Sequence, residues 1–347
     1  MTVIAKNHTS DELHARLAPL GVTLRQARQV QASVIRNGRL PPVQHGLSAK
    51  KLEVIRDAIG IPDLAVLDKV VSPRDGFAKY LFRGQGAEPF EAVRIPLLHR
   101  ADAPKYIVCV SSQVGCAMGC TFCFTGRMGF RRNLAAWEIV DQVIKIQADS
   151  PHPVRGVVFM GMGEPLLNYD EVIRAARILS EPCGMAISGK AITISTAGII
   201  PGIRRFTTER HPFRLVVSLT SADPRRRREL MPVESTHPTA GLMDALRERH
   251  QATGERITLA WTLISGINTG GEDARQLAEL TRGLPVKLDL IDVNDPTGRF
   301  LSPSERELDA FRDALRLHLA APVARRYSGG KDIAAACGML AGGLQAC

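Results

Sequence analysis

Hydrophobic residues recur at helical spacing in the first part of the chain and at strand-like spacing further on. Three segments carry apolar stripes that predict helices, at residues 10–20, 27–36 and 48–59. Proline and glycine residues separate these segments, as is typical of loops. Residues 75–98 change character, because short β-type segments stand at 78–82 and 92–95. The pattern therefore predicts a helical amino-terminal region followed by a strand-rich connector.

From about residue 104 the chain alternates between short apolar segments and amphipathic ones. The strand candidates are residues 106–110, 156–160, 191–195, 214–219, 257–263 and 286–291. Helical stripes lie between them, and Ser302, Pro303 and Glu305 predict a last helix with Ser302 as its N-cap. Repeats of this kind predict a parallel sheet with right-handed crossovers, either open or closed into a barrel. In such folds the functional site forms at the carboxyl ends of the strands.

Three cysteines stand in a compact loop directly after the first of these strands. Cys116, Cys120 and Cys123 have the spacing C-x3-C-x2-C, and thiolates are the ligands of iron–sulfur clusters. Three ligands on a [4Fe–4S] cluster leave one iron open to the amine and carboxylate of S-adenosylmethionine (SAM), into which the cluster can deliver an electron. Structural zinc prefers four ligands, commonly as two pairs, so zinc fits less well, and a disulfide knot fits least.

The composition is that of a globular protein with a basic surface. The chain has 347 residues, 45% of them hydrophobic and 23% charged. It contains no run of ~18 apolar residues and no leader-like apolar core near its start, so we expect a cytoplasmic protein without a membrane span. The formal net charge of +10 favours a polyanionic partner, of which nucleic acid is the commonest.

Two arginine clusters bear on that partner. Arg127, Arg131 and Arg132 follow the cysteine loop closely, and we expect them to contact phosphates. Arg225–Arg228 stand behind Asp223-Pro224, where an exposed helix start is as good an interpretation as a contact with RNA.

Polar residues follow several of the predicted strands. Glu164 follows the second strand and can accept a hydrogen bond from an ammonium group such as the SAM amine. Ser195 ends the third strand, Ser218-Leu219-Thr220 the fourth and Asn294 the sixth. Together they suit the mouth of a barrel, although each one alone is an ordinary loop residue.

Three segments carry a resemblance to a known family. They are residues 109–116, which lead into the cysteine loop, residues 161–168 and residues 332–338. Together they resemble the radical-SAM RNA adenine methyltransferases of the RlmN/Cfr family, which methylate an adenosine in 23S ribosomal RNA. The resemblance covers nearly the whole chain and implies an α/β fold, a partial (βα)6 radical-SAM barrel with a small helical amino-terminal domain.

The resemblance also implies a division of the chain into four parts. The expected parts are a helical RNA-binding domain at 1–75, a strand-rich connector at 76–101, the radical-SAM core barrel at 102–328 and a carboxyl-terminal segment at 329–347.

The resemblance assigns roles to individual residues. Cys337 matches the cysteine that becomes S-methylated, Cys109 its resolving partner in a transient disulfide, and Glu91 the proton acceptor. The positions that match the cluster ligands are Cys116, Cys120 and Cys123. The positions that match SAM contacts are Gly163, Glu164, Ser195, Ser218, Leu219, Thr220 and Asn294.

The implied reaction consumes two SAM molecules. Cys337 takes a methyl group from the first as a thiolate nucleophile. The second yields a 5′-deoxyadenosyl radical that abstracts hydrogen from the S-methyl group, and the methylene radical adds to an adenine carbon. A base removes the ring proton, and Cys109 attacks the Cys337 sulfur to release the product. The adenosine must leave its base stack to reach the site.

The resemblance leaves the target open. C2 of an adenosine in 23S rRNA is the default, with tRNA as a further substrate. The alternatives are a C8-directed, antibiotic-resistance type of enzyme and a paralogue acting on another substrate, because Phe124 and Thr220 depart from the family's usual residues. The intact Cys109, Cys337 and Glu91 argue against a non-catalytic RNA-binding protein. We also expect flavodoxin or ferredoxin as electron donor, and a monomer.

Overall fold

A computed structural model describes residues 2–97, 104–295 and 297–343. The amino-terminal part contains β1 (Val3–Ile4), α1 (Ser10–Leu17), α2 (Leu24–Asn37), α3 (Ala49–Ala58) and β2 (Ile59–Gly60). Capping boxes begin α1 and α2, because the Thr9 and Thr23 hydroxyls accept hydrogen bonds from backbone N–H groups three residues on. Leu20, expected on the first apolar stripe, is exposed, since the α-helix gives way to a 3-10 turn after Leu17.

One large sheet dominates the rest of the molecule. The strands after β2 are β3 (Ala65–Val71), β4 (Ala78–Arg83), β5 (Phe90–Leu97), β6 (Lys105–Cys109), β7 (Gln113–Gly115), β8 (Phe130–Asn133), β9 (Val154–Phe159), β10 (Ile192–Thr196), β11 (Arg214–Ser218), β12 (Ile257–Leu263), β13 (Val286–Asp292) and β14 (Val323–Arg326). The sheet has the order β14-β13-β12-β11-β10-β9-β6-β5-β4-β3, and β7 and β8 form a separate antiparallel pair. From β6 to β14 its strands are parallel, and β3–β5 extend it with antiparallel strands.

Helices connect the parallel strands. The helices after α3 are α4 (Phe124–Arg127), α5 (Ala136–Ala148), α6 (Tyr169–Ser180), α7 (Ile200–Glu209), α8 (Pro224–Leu230), α9 (Thr239–Thr253), α10 (Gly271–Leu280) and α11 (Glu305–His318). The edge strand β14 does not pair with β6, so the parallel strands form an incomplete barrel. This confirms the predicted α/β fold, and each of the six predicted barrel strands is present to within two residues at either end.

The structure adds a seventh parallel strand and corrects the start of the last helix. β14 was not predicted, because half of its four residues are arginines and its apolar signal is weak. The last helix begins at Glu305 and its N-cap is Ser304, whose hydroxyl accepts a hydrogen bond from the Glu307 N–H. Ser302 was the wrong choice, because its hydroxyl instead donates to the Val293 carbonyl at 2.8 Å.

The helical amino-terminal part has its own small apolar core, and a buried ion pair joins it to the barrel. Lys6 Nζ lies 2.6 Å from Asp141 Oδ1 on α5, and neither side chain is exposed. The other Asp141 oxygen accepts a hydrogen bond from the Leu64 N–H at 2.7 Å. The main sheet begins at Ala65, so the last part of the predicted 1–75 helical domain is a strand, while the predicted boundary at 101/102 lies outside the described residues.

Candidate active site

Glycines shape the loop that carries the three cysteines. Gly115 has a φ of +70°, and a Cβ there would collide with the Gly129 carbonyl, so no other residue fits. The Cys116 N–H donates to that same carbonyl at 3.1 Å. At Gly126 a Cβ would lie 2.9 Å from the Cys120 backbone nitrogen. The loop therefore wraps closely around the cysteines because small residues let its turns meet.

The three cysteines line one cavity at the carboxyl ends of the parallel strands. Burial raises the pKa of Cys116 to about 12, and it also raises the pKa values of Cys120 and Cys123. Thiolates in this setting need a nearby positive charge, which bound iron supplies. Three thiols on one cavity can supply three ligands of a [4Fe–4S] cluster, whose irons each take one thiolate.

The same cavity collects polar residues from separate strand ends, as the sequence predicts. The predicted SAM positions that line it are Gly163, Glu164, Ser195, Ser218 and Asn294. These residues come from the ends of β9, β10, β11 and β13, which lie at one edge because the strands are parallel. Apolar cavity residues, among them Met160, Met231 and Phe159, were missed by sequence reasoning, since strand residues of this kind carry no chemical signal.

Glu164 is the buried acid of the cavity. Its Oε2 accepts a hydrogen bond from the Ala197 N–H at 2.7 Å, and its Oε1 accepts one from the Leu166 N–H at 3.0 Å. Burial outweighs these bonds and raises the pKa of Glu164 to about 7. A cationic ligand beside it would favour the ionised form. The neighbouring Gly163 has a φ of +101°, and a Cβ there would lie 2.6 Å from Gln113 Cβ.

Asn294 offers an unsatisfied acceptor to the cavity. Its Nδ2 donates to Ser328 Oγ at 2.8 Å and lies 3.2 Å from the Cys337 carbonyl oxygen. Its Oδ1 is buried and has no hydrogen-bond partner within the described part of the chain. Buried polar atoms normally have partners, so this oxygen fits a donor group on a bound ligand.

Leu219 and Thr220 do not line the cavity. Side chains alternate at the end of β11, so Ser218 faces the cavity while the Leu219 side chain is fully buried in the apolar core. Thr220 is also fully buried, has a φ of +61°, and accepts a hydrogen bond from Asn268 Nδ2 on its carbonyl. The predicted SAM contacts of these two residues stay predictions.

Cys337 reaches the cavity from the far end of the chain. Its side chain is exposed to the cavity, yet protein surrounds it, so desolvation raises its pKa and nearby Cys123 adds to the shift. The segment around it is held by hydrogen bonds from the Phe124 N–H to the Gly338 carbonyl and from Thr125 Oγ1 to the Leu340 carbonyl, both 2.7 Å.

Cys109 lies within electrostatic range of Cys337. Burial raises the pKa of Cys109, which lies at the end of β6, and the Cys337 thiol is the second cause of that shift. Both residues are free thiols in this structure. The transient disulfide between Cys109 and Cys337 stays a prediction.

Glu91 lies outside the cavity lining. One carboxylate oxygen pairs with Lys79 Nζ at 3.1 Å, and the other accepts hydrogen bonds from the Ala341 and Gly342 N–H groups at 2.7 and 3.1 Å. In this conformation the carboxylate holds the segment that carries Cys337. The proton-acceptor role of Glu91 stays a prediction.

Comparisons with known proteins agree with this geometry. A model described as the Radical SAM superfamily matches residues 110–280. A protein of Myxococcus xanthus named "Probable RNA methyltransferase" is 49% identical over 97% of this chain and 93% of its own length. A "Dual-specificity RNA methyltransferase RlmN" of Syntrophobacter fumaroxidans is 42% identical over 97% and 98%. The chain belongs to the RlmN/Cfr family of radical-SAM RNA methyltransferases.

A solved structure supports the same family. The crystal structure of a radical SAM methyltransferase from Sphaerobacter thermophilus superposes with a TM-score of 0.87 at 35% identity, over 98% of this chain and 99% of that one. The chain is therefore an enzyme of the radical-SAM RNA methyltransferase type, and this family implies a [4Fe–4S] cluster and SAM.

None of the described helices is both long and apolar enough to cross a bilayer.

In this RlmN/Cfr member, some arginines of the two predicted clusters are exposed, and others are buried or paired within the protein. Arg227 is fully buried and Arg226 pairs with Asp273, so only Arg225 and Arg228 of that cluster are exposed. Both interpretations of the cluster are wrong for Arg227, because a fully buried side chain neither forms an exposed helix start nor contacts RNA. Its burial was missed, although its three-residue spacing from buried Leu230 marks the inner face of α8.

Two of the three arginines after the cysteine loop form ion pairs within the protein. Arg127 pairs with Asp295 at 3.2 Å, and Arg132 forms two hydrogen bonds of 2.8 Å with Glu138. Arg131 is exposed and has no ion pair among the residues described. The predicted phosphate contact therefore rests mainly on Arg131.

Proposed function

We propose that this enzyme methylates a ring carbon of an adenosine in 23S rRNA, C2 by default, through an S-methylcysteine at Cys337. The observation that supports this best is that one cavity holds Cys337 together with Cys116, Cys120 and Cys123. A methyl carrier must stand beside the radical source, because a short-lived radical acts only over contact distance. The relatives named as RlmN support an RNA substrate.

The cavity residues fit the cofactors. The three cysteine thiolates would hold the cluster, and Glu164, Ser195, Ser218 and Asn294 would bind SAM through hydrogen bonds. When bound, the cluster supplies the electron that cleaves SAM and so provides the radical that removes hydrogen from the S-methyl group. We expect flavodoxin or ferredoxin to supply this electron.

Cys337 and Cys109 perform the polar steps. The Cys337 sulfur forms a bond to the SAM methyl carbon as the carbon–sulfonium bond breaks, and S-adenosylhomocysteine leaves. Burial raises the pKa of Cys337, so its proton must be taken up by another group before attack. Once the carrier carbon is bonded to adenine and the adduct has lost the ring proton and one electron, the Cys109 thiolate attacks the Cys337 sulfur. The sulfur–carbon bond breaks with its electron pair on the carbon, which takes up a proton to become the methyl group of the product, and a thiol reductant must reduce the new disulfide before the next turnover.

Glu91 has to change partners to act as proton acceptor. Its carboxylate is now occupied by Lys79 and by the Ala341 and Gly342 N–H groups. Release of these bonds would free both the carboxylate and the segment that carries Cys337.

Mass spectrometry of RNA tests this proposal. Ribosomal and transfer RNA from cells with the wild-type protein should contain a methyladenosine that is absent from cells without it and from cells with Cys337→Ala. Chromatography against C2- and C8-methyladenosine standards separates the default from the C8-directed alternative. Unchanged RNA methylation with Cys337→Ala would refute the S-methylcysteine route, and unchanged RNA in every strain would favour another substrate.

A further inference from the structure

Two aromatic rings of this protein are exposed to solvent. Phe130 is 46% exposed and Tyr327 is 77% exposed, whereas every other Phe, Tyr and Trp is buried or half-buried. Phe130 pairs with Gly115, which precedes the cavity residue Cys116, and Tyr327 lines a neighbouring depression that shares Asp292 with the cavity. We call Phe130 and Tyr327 the rim pair.

Phe130 adjoins the cluster loop. It begins β8 and pairs with Gly115, the residue before Cys116. The preceding Gly129 accepts the Cys116 N–H hydrogen bond on its carbonyl. The next residue is Arg131, the exposed arginine without an ion pair in the described chain. An apolar ring and an exposed cation are therefore consecutive along β8, the strand that pairs with the start of the cluster loop.

Tyr327 lies far along the chain from Phe130, at the end of the last barrel strand. It directly follows β14, and the next residue, Ser328, accepts a hydrogen bond from the cavity residue Asn294. The ring meets Phe77 edge to face, with centroids 6.1 Å apart, and its hydroxyl donates to Asp75 at 3.1 Å. The ring is thus fixed in orientation while most of its surface stays open.

The charges around Tyr327 are mixed. Asp292 pairs with Arg325 at 3.1 Å and Asp289 pairs with Arg326 at 2.6 Å. Asp75 and Asp332 line the same depression and are held by hydrogen bonds, Asp75 from the Gly330 N–H and Asp332 from the Ser72 hydroxyl. Two exposed cations, Arg74 and Lys331, line the same depression as Tyr327 and have no ion pair among the residues described.

We infer that the rim pair stacks on the RNA bases next to the target adenosine. This inference rests on the proposed RNA substrate. An adenine that enters the cavity leaves its stack, and its neighbours lose a stacking partner. An exposed aromatic ring replaces that partner without regard to base identity, while adjacent cations contact phosphates. Rings held at the rim can therefore favour the unstacked state that methylation needs.

Tryptophan fluorescence tests the inference directly. The native Trp137 and Trp261 are 5% and 0% exposed, so they form a shielded background. Phe130→Trp and Tyr327→Trp each place an indole at the rim, and Leu317→Trp is the matched control on exposed α11 surface, at the helix end nearest the start of β14. An adenosine-containing RNA stem-loop should quench the emission of both rim indoles and leave the emission of the control indole on α11 unchanged.

Affinity measurements give a second readout on the cluster-loaded protein. Phe130→Ala and Tyr327→Ala should each weaken binding of the stem-loop about 5- to 100-fold, as loss of one stacked base predicts. Tyr327→Phe should keep most of the affinity because the ring remains, and Leu317→Ala should bind like wild type.

Each negative outcome has a separate meaning. If the wild type shifts the stem-loop on a native gel while the rim indoles respond no more than the control indole on α11, the rim inference is wrong and the proposed RNA substrate stands. If the wild type binds no RNA, the proposed function itself fails. Quenching by a flavodoxin, but not by RNA, would also overturn the inference and assign the rim to a protein partner.

Discussion

Arg227 Nη1 and Glu234 Oε2 lie 2.5 Å apart, and both side chains are buried. The same guanidinium donates to the Ala197 carbonyl at 2.7 Å and to the Leu219 carbonyl at 3.2 Å. The Ala197 N–H in turn donates to Glu164 in the cavity. One buried cation therefore ties the ends of β10 and β11 together behind the residues expected to bind SAM.

Removing the charge of Arg227 should destabilise the fold strongly. Arg227→Met leaves Glu234 charged and buried without its partner, which should lower the free energy of unfolding by about 3–5 kcal/mol in urea titration. Arg227→Met combined with Glu234→Gln should recover part of the loss. Arg225→Met is the matched control on the same helix, because its side chain is exposed and lies 3.9 Å from Asp223, and it should cost about 1 kcal/mol or less. Equal losses for the two single variants would contradict the role of the buried pair.

Loss of the three cluster thiols should remove iron and SAM cleavage together. Triple replacement of Cys116, Cys120 and Cys123 by Ala should abolish the bound iron of anaerobically reconstituted protein and the formation of 5′-deoxyadenosine. Cys183→Ala, which changes a half-buried cysteine outside the cavity lining, is the control and should keep both. Iron analysis and chromatography measure the two quantities. Unchanged iron in the triple variant would refute the ligand assignment.

Protein isolated from cells should carry a methyl group on Cys337. The residue faces the cavity beside Cys123, where a SAM methyl group can reach it. Peptide mass spectrometry should find the added methyl on Cys337 and none on Cys183. An unmodified Cys337 in protein that still methylates RNA would rule out the carrier role.

Cys109→Ala should trap a covalent adduct between protein and RNA. Without a second thiol the Cys337 sulfur stays bonded to the nucleotide, because nothing attacks it to release the product. Labelled RNA should then migrate with the protein on a denaturing gel. Cys337→Ala should give no adduct, since no carrier forms. Free turnover by Cys109→Ala would show that Cys109 does not release the product from Cys337.

Glu91→Ala should loosen the carboxyl-terminal segment. The variant removes the acceptor of the Ala341 and Gly342 N–H groups, and hydrogen bonds to a charged group contribute about 1.5–3 kcal/mol. Hydrogen exchange at these two amides should therefore accelerate about ten-fold or more. Glu88→Gln changes an exposed acid just before β5 and serves as control. Unchanged exchange in Glu91→Ala would show that other contacts hold the segment.

The sequence by itself determined the local features. Apolar periodicity placed the six barrel strands, and glycine-rich spacing placed Cys116, Cys120 and Cys123 in one loop after the first of them. Parallel strands end at a common edge, so the meeting of Glu164, Ser195 and Asn294 also followed from the pattern. These features depend on neighbours along the chain, which is the information that periodicity and spacing contain.

Only the tertiary structure decided what depends on contacts between distant segments. It brought Cys337 to the cavity of Cys116, Cys120 and Cys123, turned the Glu91 carboxylate towards the carboxyl-terminal segment, and buried Arg227 against Ala197 and Leu219. The sequence does not show whether a charged residue faces solvent or a buried partner, because packing and chain topology decide its surroundings. The site thus combines a loop that spacing predicts with partners that only the folded sheet brings into contact.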